Sequence, residues 1–431
     1  MSFRKVVITG LGAISPLGNS VGELISGLEG QKSAVECIAE WENYKGMRSM
    51  VAAPVRLENE KLIPRHNRRS MGRLSIFATQ AAQEAIKDAL LSSEDLTSGK
   101  LGCIISSTMG SAESIAEAFE IMGPGKDLSL LPSTKFFQCI SHSAAMNVAQ
   151  YLGITGVVMA PCSACASALQ SIGLGYDLIR LGRQDLTICG GAEGLHPSVV
   201  GSFDILYATS SNYNNTPKNT PRPFDVKRDG LVCGEGSGIL VLEEYEHARK
   251  RGAKIYAEII GYNTCGNGDH VSESNRDAII SCIRQSIASS GISAQDIDYI
   301  NAHATATIQG DKEEAFAIRE IFGGDTPVSS LKGYMGHTLG ASGAIELIAS
   351  LIMMQKSRIY PTLNLQEPDK DCQGINHVMK LMDKSINILL KNCFAFGGIN
   401  ATLICKKCLA QPSQANKEVL NDSRGRNKDD Q

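Results

Sequence analysis

Cys165 stands in APCSACASALQSIG, where an apolar run meets a long amphipathic stretch. Residues 157–160 have the composition of a buried strand, and 166–181 carry apolar residues at three-to-four spacing, which predicts a helix. The cysteine therefore falls beside the positive end of a helix macrodipole. Thiolate is favoured at that end, and the thiolate is the nucleophilic form. A small cysteine at such a junction serves equally well as inert packing. Two further segments tilt the balance. His303 in NAHATAT follows the apolar 297–300, and His337 in SSLKGYMGHTLGASGAIE follows 327–330. Both positions fall at strand ends, where sheet proteins gather their chemistry. Either histidine alone would read as a satisfied structural side chain; beside a helix-start cysteine the two complete a Cys-His-His set.

The elements that must position this set alternate along the chain. Strands are predicted over 5–9, 101–106, 157–160, 186–190, 238–243 and 257–262, and helices over 23–28, 75–90 and 276–290. Such alternation implies a layered α/β protein. The order strand, reactive turn, helix occurs around Cys165 and again around the two histidines. The glycines of ITGLGAISPLG invite a dinucleotide-binding reading, but Ser15 stands where the third glycine belongs. A tight turn after a buried strand accounts for them better.

Composition narrows the function classes. The chain has 431 residues, 43% of them apolar, with a formal charge of −3. That is ample for a large core, and so slight a charge supplies no field to recruit nucleic acid or an anionic membrane. No apolar run reaches the roughly 20 residues of a membrane helix. The start, MSFRKVVITGLG, runs into a strand without a cleavable signal pattern, so a cytoplasmic protein is expected. Thirteen cysteines, an odd number, suit free thiols in a reducing compartment. Cys405 and Cys408 have zinc or redox spacing but lack a second ligand pair, and no metal is expected. Cys162, three residues before Cys165, is expected to be a packing residue. The segment 410–431 is too polar to bury a core of its own.

Several motifs, in order, extend the set to most of the chain. They run from Val6-Val7-Ile8-Thr9-Gly10-Leu11-Gly12 through Pro223-Phe224-Asp225, Arg228-Asp229-Gly230 and Gly234-Glu235-Gly236-Ser237-Gly238. Phe394-Ala395-Phe396-Gly397-Gly398 and Asn400-Ala401-Thr402-Leu403 close the series. With Cys165, His303 and His337 in place, the chain resembles the β-ketoacyl-acyl-carrier-protein synthases, of the synthase II type. The resemblance implies a thiolase-like fold of two pseudo-duplicated halves in five αβαβα layers. A nominal boundary near 250 divides a nucleophile half, 1–250, from a histidine half, 251–409, followed by the tail 410–431.

It also implies the reaction. Cys165 takes an acyl chain from the phosphopantetheine thiol of an acyl carrier protein, and a malonyl-carrier protein then loses carbon dioxide to give the enolate that attacks the thioester. Backbone N–H groups of Cys165 and Phe396 match the family's oxyanion donors, with glycines after Phe396 for close approach. His303 and His337 match the pair that serves the enolate, each needing a partner that fixes its tautomer. Lys332 and Glu346 match a charged pair beside the second histidine, against the alternative of an exposed lysine. Thr305 and Thr307 match hydroxyls that bind pantetheine, and Phe396 matches a mobile gate, or else a plain core aromatic. Arg65, Arg68, Arg69 and Arg73 form a basic run, either solvated surface or a docking patch for an acidic carrier. No cofactor of the enzyme's own is implied.

Ala304, Ala395, Ile399, Ala166 and Ala168 depart from the family's commonest residues, which bears on gate motion and on the shape of the acyl pocket. Two pathways remain open: fatty-acid elongation by a homodimer, or polyketide assembly by a ketosynthase paired with a chain-length factor. A non-catalytic chain-length subunit is disfavoured because the Cys-His-His set is complete. A coenzyme-A-dependent thiolase is disfavoured because NCFAFGGIN around Cys393 lacks that family's second-cysteine motif.

Overall fold

The computed structural model describes residues 3–271 and 273–408, so the 410–431 tail lies outside the described residues. Strand β1 (Val6–Ile14) is buried throughout. A Cβ at Gly10 or Gly12 would strike the backbone carbonyl of Ala85 or Ala81 in helix α1 (Arg73–Ala89). The glycines therefore lie inside the strand and let the helix settle on it, rather than forming the turn expected from the sequence. Both neighbours of β1 run antiparallel to it, which also removes the dinucleotide-binding reading.

The first half continues with β2 (Leu101–Ser106), α2 (Ser143–Leu152), β3 (Val158–Met159), α3 (Ser167–Arg180), β4 (Leu186–Glu193) and β5 (Gly236–Glu244). The second runs β6 (Ala257–Gly266), α4 (Arg276–Ser290), β7 (Tyr299–Asn301), α5 (Ile308–Phe322), β8 (Pro327–Ser329), α6 (Ser342–Lys356), β9 (Asn376–His377), β10 (Ile388–Ala395) and β11 (Ile399–Lys406). Among the described residues these eleven strands form one sheet, ordered β9-β8-β7-β10-β11-β6-β1-β5-β4-β2-β3.

Read outward from its centre, the sheet repeats itself. From β1, the pairings with β5 and then β4 are antiparallel, and β2 and β3 follow in parallel. From β6, the pairings with β11 and then β10 are antiparallel, and β7, β8 and β9 follow in parallel. The two arms join where Val6–Ile8 pairs with 257–259.

Helices cover both faces of each arm, as the buried parallel strands require. The largest apolar cluster gathers Leu169, Ile172 and Ile179 of α3 with Ile345, Leu347, Ile348 and Leu351 of α6, between side chains of both arms. Phe77 and the alanines of α1 pack with α2 on the outer face of the first arm. Ile279 and Ile283 of α4 pack with α5 outside the second. The result is five layers, with α3 and α6 as the central one.

One strand differs from expectation. Residues 157–160 were to be a buried strand, yet β3 is two residues long, with Val158 and Met159 44% and 41% exposed at the sheet's edge. No helix among the described residues is long and apolar enough to cross a membrane.

Candidate active site

Cys165 lies in a tight turn, Ala164–Ala166, that feeds directly into α3. Ala164 adopts a left-handed conformation (φ 45°), sharpening the bend. Ser167 clamps it: its Oγ accepts from the Ser163 N–H at 2.8 Å and donates to the Ala164 carbonyl at 2.7 Å. The bend brings Cys165, 2% exposed, to the wall of a cavity of about 340 Å³. His303, His337, Thr305, Thr307 and Phe396 line the same cavity.

The histidines arrive from the second arm. His303 comes two residues after β7, and the backbone N–H groups of His303 and Ala304 donate to the Glu314 carboxylate of α5, at 2.8 and 2.7 Å. His337 follows Gly336, whose φ of 67° turns the chain, and pairs with the strand-like 232–234 segment through Val232 and Gly234. The two imidazole rings meet edge to face, centroids 5.1 Å apart. Cys165 Sγ and one nitrogen from each histidine lie within 4.8 Å of one another. Among the described residues, none hydrogen-bonds His303 Nδ1 or either nitrogen of His337.

Electrostatics around the trio come from a buried ion triad. Lys332 Nζ reaches Glu346 Oε1 at 2.8 Å and Lys391 Nζ reaches Oε2 at 2.7 Å, all three side chains being essentially inaccessible. Burial would raise the Glu346 carboxyl, but the two lysines outweigh it and hold it below its ordinary value. Two ammoniums on one carboxylate leave a net positive charge beside the cavity. Burial first, then the Lys332 charge, keeps both imidazoles well below their usual value and hence neutral.

The cysteine departs from expectation. Burial pushes the Cys165 thiol up to about 12, with Lys332 pulling the other way. Burial thus outweighs the Lys332 charge and favours the thiol over the thiolate. Its attack needs a base, and a neutral imidazole is at hand.

The remaining predicted residues divide between the cavity and the surface. The hydroxyls of Thr305 and Thr307 lie 3.1 Å apart on the cavity wall. Phe396 packs on Phe203, centroids 5.5 Å apart, between the cavity and an apolar cluster that includes Trp41, Val199, Val200 and Leu231. The two glycines after it differ. Space around Gly397 is open, and its φ of 91° is what favours glycine there; a Cβ on Gly398 would strike the Asn267 amide. Ala166, Ala168 and Ala304 are buried, and Ala395 and Ile399 half-buried.

Arg65 and Arg69 are exposed. Arg68 is tied to Glu60 and the Ile63 carbonyl, and Arg73 turns inward onto buried Glu235, with bonds of 2.9 and 2.6 Å. Cys162 is not the packing residue expected: it is exposed, and its thiol donates to the Thr108 carbonyl at 2.9 Å. Among the described residues, the one trio with metal-ligand side chains is Cys165, His303 and His337; Cys405 and Cys408 gain no third.

Buried charges near the site went unforeseen, among them Glu314, Lys391 and Glu193. Lys391 left a signal, as a lysine inside the apolar strand ILLKNCFA. Glu193 ends the equally buried strand LTICGGAE, where it accepts the N–H groups of Thr108 and Gly340 at 3.0 and 2.9 Å. Glu314 left none, since DKEEAFAIRE reads as a solvated helix face.

A thiol and two neutral imidazoles at the seam of a duplicated, five-layered α/β fold define an acyl-transferring enzyme of thiolase-like architecture. Comparison with known proteins carries this further. Residues 3–248 match the N-terminal domain of β-ketoacyl synthase and residues 256–366 its C-terminal domain. The 3-oxoacyl-[acyl-carrier-protein] synthase 1 of Haemophilus influenzae is 36% identical over 406 residues, covering 94% of this chain and 99% of the relative. A β-ketoacyl synthase from Burkholderia phymatum STM815 superimposes with a TM-score of 0.91 at 39% identity, over 94% of this chain and 100% of that one. The ishigamide ketosynthase/chain length factor gives 0.88 at 31% identity, over 95% and 100%. The chain belongs to the β-ketoacyl synthase family.

Proposed function

We propose that the chain joins an acyl group held on Cys165 to a malonyl unit carried by an acyl carrier protein, with loss of carbon dioxide. The observation that carries this reading is the convergence of Cys165 Sγ with one nitrogen of each histidine inside a single cavity. In the first half-reaction a neutral imidazole takes the Cys165 proton as sulfur attacks the incoming thioester. The carbonyl oxygen becomes an oxyanion facing the backbone N–H groups of Cys165 and Phe396. One such donor is worth about 10²–10³ in rate. The carrier's thiol leaves with a proton, and the acyl group stays on the enzyme.

In the second half-reaction the malonyl thioester loses carbon dioxide, and its carbonyl oxygen gains the negative charge of an enolate. Neutral His303 and His337 offer ring N–H groups to that oxygen. The net charge of Lys332, Glu346 and Lys391 favours the anion while opposing imidazolium, so donors stay donors. The enolate carbon attacks the acyl carbonyl, and the Cys165–acyl bond breaks. Thr305 and Thr307 hydrogen-bond the pantetheine arm, and exposed Arg65 and Arg69 draw the acidic carrier, with Arg68 and Arg73 shaping the same surface. Residues 1–250 supply the nucleophile and 251–409 the histidines.

The exposed edge strand β3, with Val158 and Met159, suits pairing with a second ketosynthase-type chain. Such a partner is a second copy in fatty-acid elongation or a chain-length factor in polyketide assembly, within the cytoplasm. The test is intact-mass analysis after incubation with acyl- and malonyl-carrier proteins. An acyl adduct is expected on the native chain and absent in Cys165→Ala. In His303→Ala loading should survive better than condensation; equal loss of both would reject the role given to that histidine.

A further inference from the structure

A second pair of thiols, on the outer side of the second arm, takes no part in this chemistry. Cys265 is at the end of β6 and Cys282 in the middle of α4, which packs across that strand. Each thiol donates to the backbone of the other's element: Cys265 Sγ to the Ala278 carbonyl at 3.6 Å, Cys282 Sγ to the Asn263 carbonyl at 3.5 Å. Asn263 and Cys265 share a strand face, and Ala278 and Cys282 share a helix face, so the two sulfurs are directed into one interface. Cys265 is half-buried and Cys282 buried.

The pair brackets the segment that holds the Phe396 turn. Between β6 and α4, the Asn267 N–H donates to the Gly398 carbonyl at 2.9 Å, and the Val271 carbonyl accepts from the Gly397 N–H at 2.7 Å. Glu273 and Ser274 of the same segment line the active-site cavity. Cys265 also stands opposite Asn400 of β11, two residues beyond Gly398.

We propose that Cys265 and Cys282 form a reversible disulfide under hydroperoxide, fixing the segment that seats the Phe396 turn and so slowing condensation. The effect on turnover rests on the function proposed above; the cross-link itself does not. The neighbouring Cys282 thiol is the main influence drawing the Cys265 thiol down to about 7, against burial, so thiolate is present at neutral pH. Its sulfur attacks one oxygen of hydrogen peroxide, the O–O bond breaks, and the peroxide leaves as hydroxide, which is protonated to water. The resulting Cys265 sulfenic acid is then displaced by Cys282 sulfur: the S–S bond forms, the S–O bond breaks, and the Cys282 proton departs in a second water. Two electrons pass from the sulfur pair to the peroxide. Cys282 is the resolving thiol because it is directed into the same strand–helix interface. Cys165 is the poor competitor, its buried thiol pushed up to about 12.

The test uses the full chain. After treatment with hydrogen peroxide, non-reducing peptide mapping of native protein and of Cys165→Ala should show the 265 and 282 peptides linked, about 2 Da lighter than the two thiols. Dithiothreitol should separate them. Condensation by native protein should fall about tenfold on oxidation and recover on reduction, while the Cys265→Ser/Cys282→Ser double variant keeps its rate through the same treatment. Absence of the linked peptide overturns the proposal, and so does a double variant as sensitive as the native chain, which would locate the damage at Cys165. A reduced protein that cross-links reversibly yet never condenses would instead overturn the proposed function.

Discussion

The turn entering α3 and the turn entering α6 are built alike. Ala164 and Leu339 both have φ of 45°, and each turn closes with a backbone bond, Ala166 N–H to Ser163 at 3.0 Å and Ala341 N–H to Thr338 at 2.9 Å. Each runs into a helix that begins on a serine, Ser167 or Ser342. Cys165 and Gly340 therefore hold equivalent places in the two arms. Cys165 faces an open cavity. Gly340 faces packed protein, its N–H bonded to Glu193, and a Cβ there would come within 2.7 Å of the Thr108 nitrogen. The fold supplies the same presenting geometry twice, and the surroundings decide which copy meets a cavity.

The largest effect that would sharpen this contrast is on the reactive side. Cys165→Ala should lose acylation by about 10³-fold or more while retaining its melting temperature, since one buried sulfur is removed and no polar group loses a bond. Acyl-adduct mass and thermal unfolding check the two halves of that statement.

Next comes the charge that α6 carries toward the cavity. Glu346→Gln leaves Lys332 and Lys391 buried without their counter-charge, and such a loss costs about 3–5 kcal/mol. The native Glu346 carboxyl titrates below its unfolded value, so its stabilisation is present above that value and disappears as pH falls through the folded one. The gap between native and variant protein in urea unfolding should be full at pH 7 and narrow in acid, below about pH 4. A gap that does not change with pH would contradict the charge argument.

Glu193, the carboxylate that receives Gly340, behaves oppositely. Burial raises it from 4.5 to about 7, against the bonds from Thr108 and Gly340. A group raised on folding favours the native state fully below its unfolded value and loses that contribution as pH rises through the folded one. Between pH 4 and pH 8 Glu193→Gln should therefore gain on the native chain by about 3 kcal/mol. Parallel unfolding curves at pH 5 and pH 8 would break this account.

The layered α/β plan was legible from alternating strand and helix patterns, because burial on both sides of a sheet leaves continuous apolar runs. The cluster of Cys165, His303 and His337 was legible because each of the three sits at a pattern boundary. What supports them was not. Glu314 serves the backbone of His303 from within a helix whose charged letters match any solvated face, and burial is a property of the tertiary fold. Cys162 and the 157–160 strand were misplaced for the related reason that exposure at a sheet edge depends on what lies beyond it. The β1 glycines read as a turn in sequence because α1, the helix they accommodate, is about 60 residues further along the chain. The upward push on the Cys165 thiol comes from burial acting against the Lys332 charge, and neither is visible before the chain is packed.

The smallest expected effect probes the unreactive turn itself. Gly340→Ala places a methyl carbon 2.7 Å from the Thr108 nitrogen and 2.8 Å from Glu193 Oε2. The first neighbour is backbone and cannot swing aside; the second is a side chain already fixed by two N–H donors. Overpacking of this kind costs about 1–3 kcal/mol. Thr108 also accepts the Cys162 thiol, so the strain passes to the segment just before Cys165. Acylation of Cys165 should slow modestly, by less than about tenfold, in parallel with the loss of stability. Should stability fall while the acylation rate holds, the two turns are coupled only through a shared architecture; should both change together, Glu193 and Thr108 form the physical link between them.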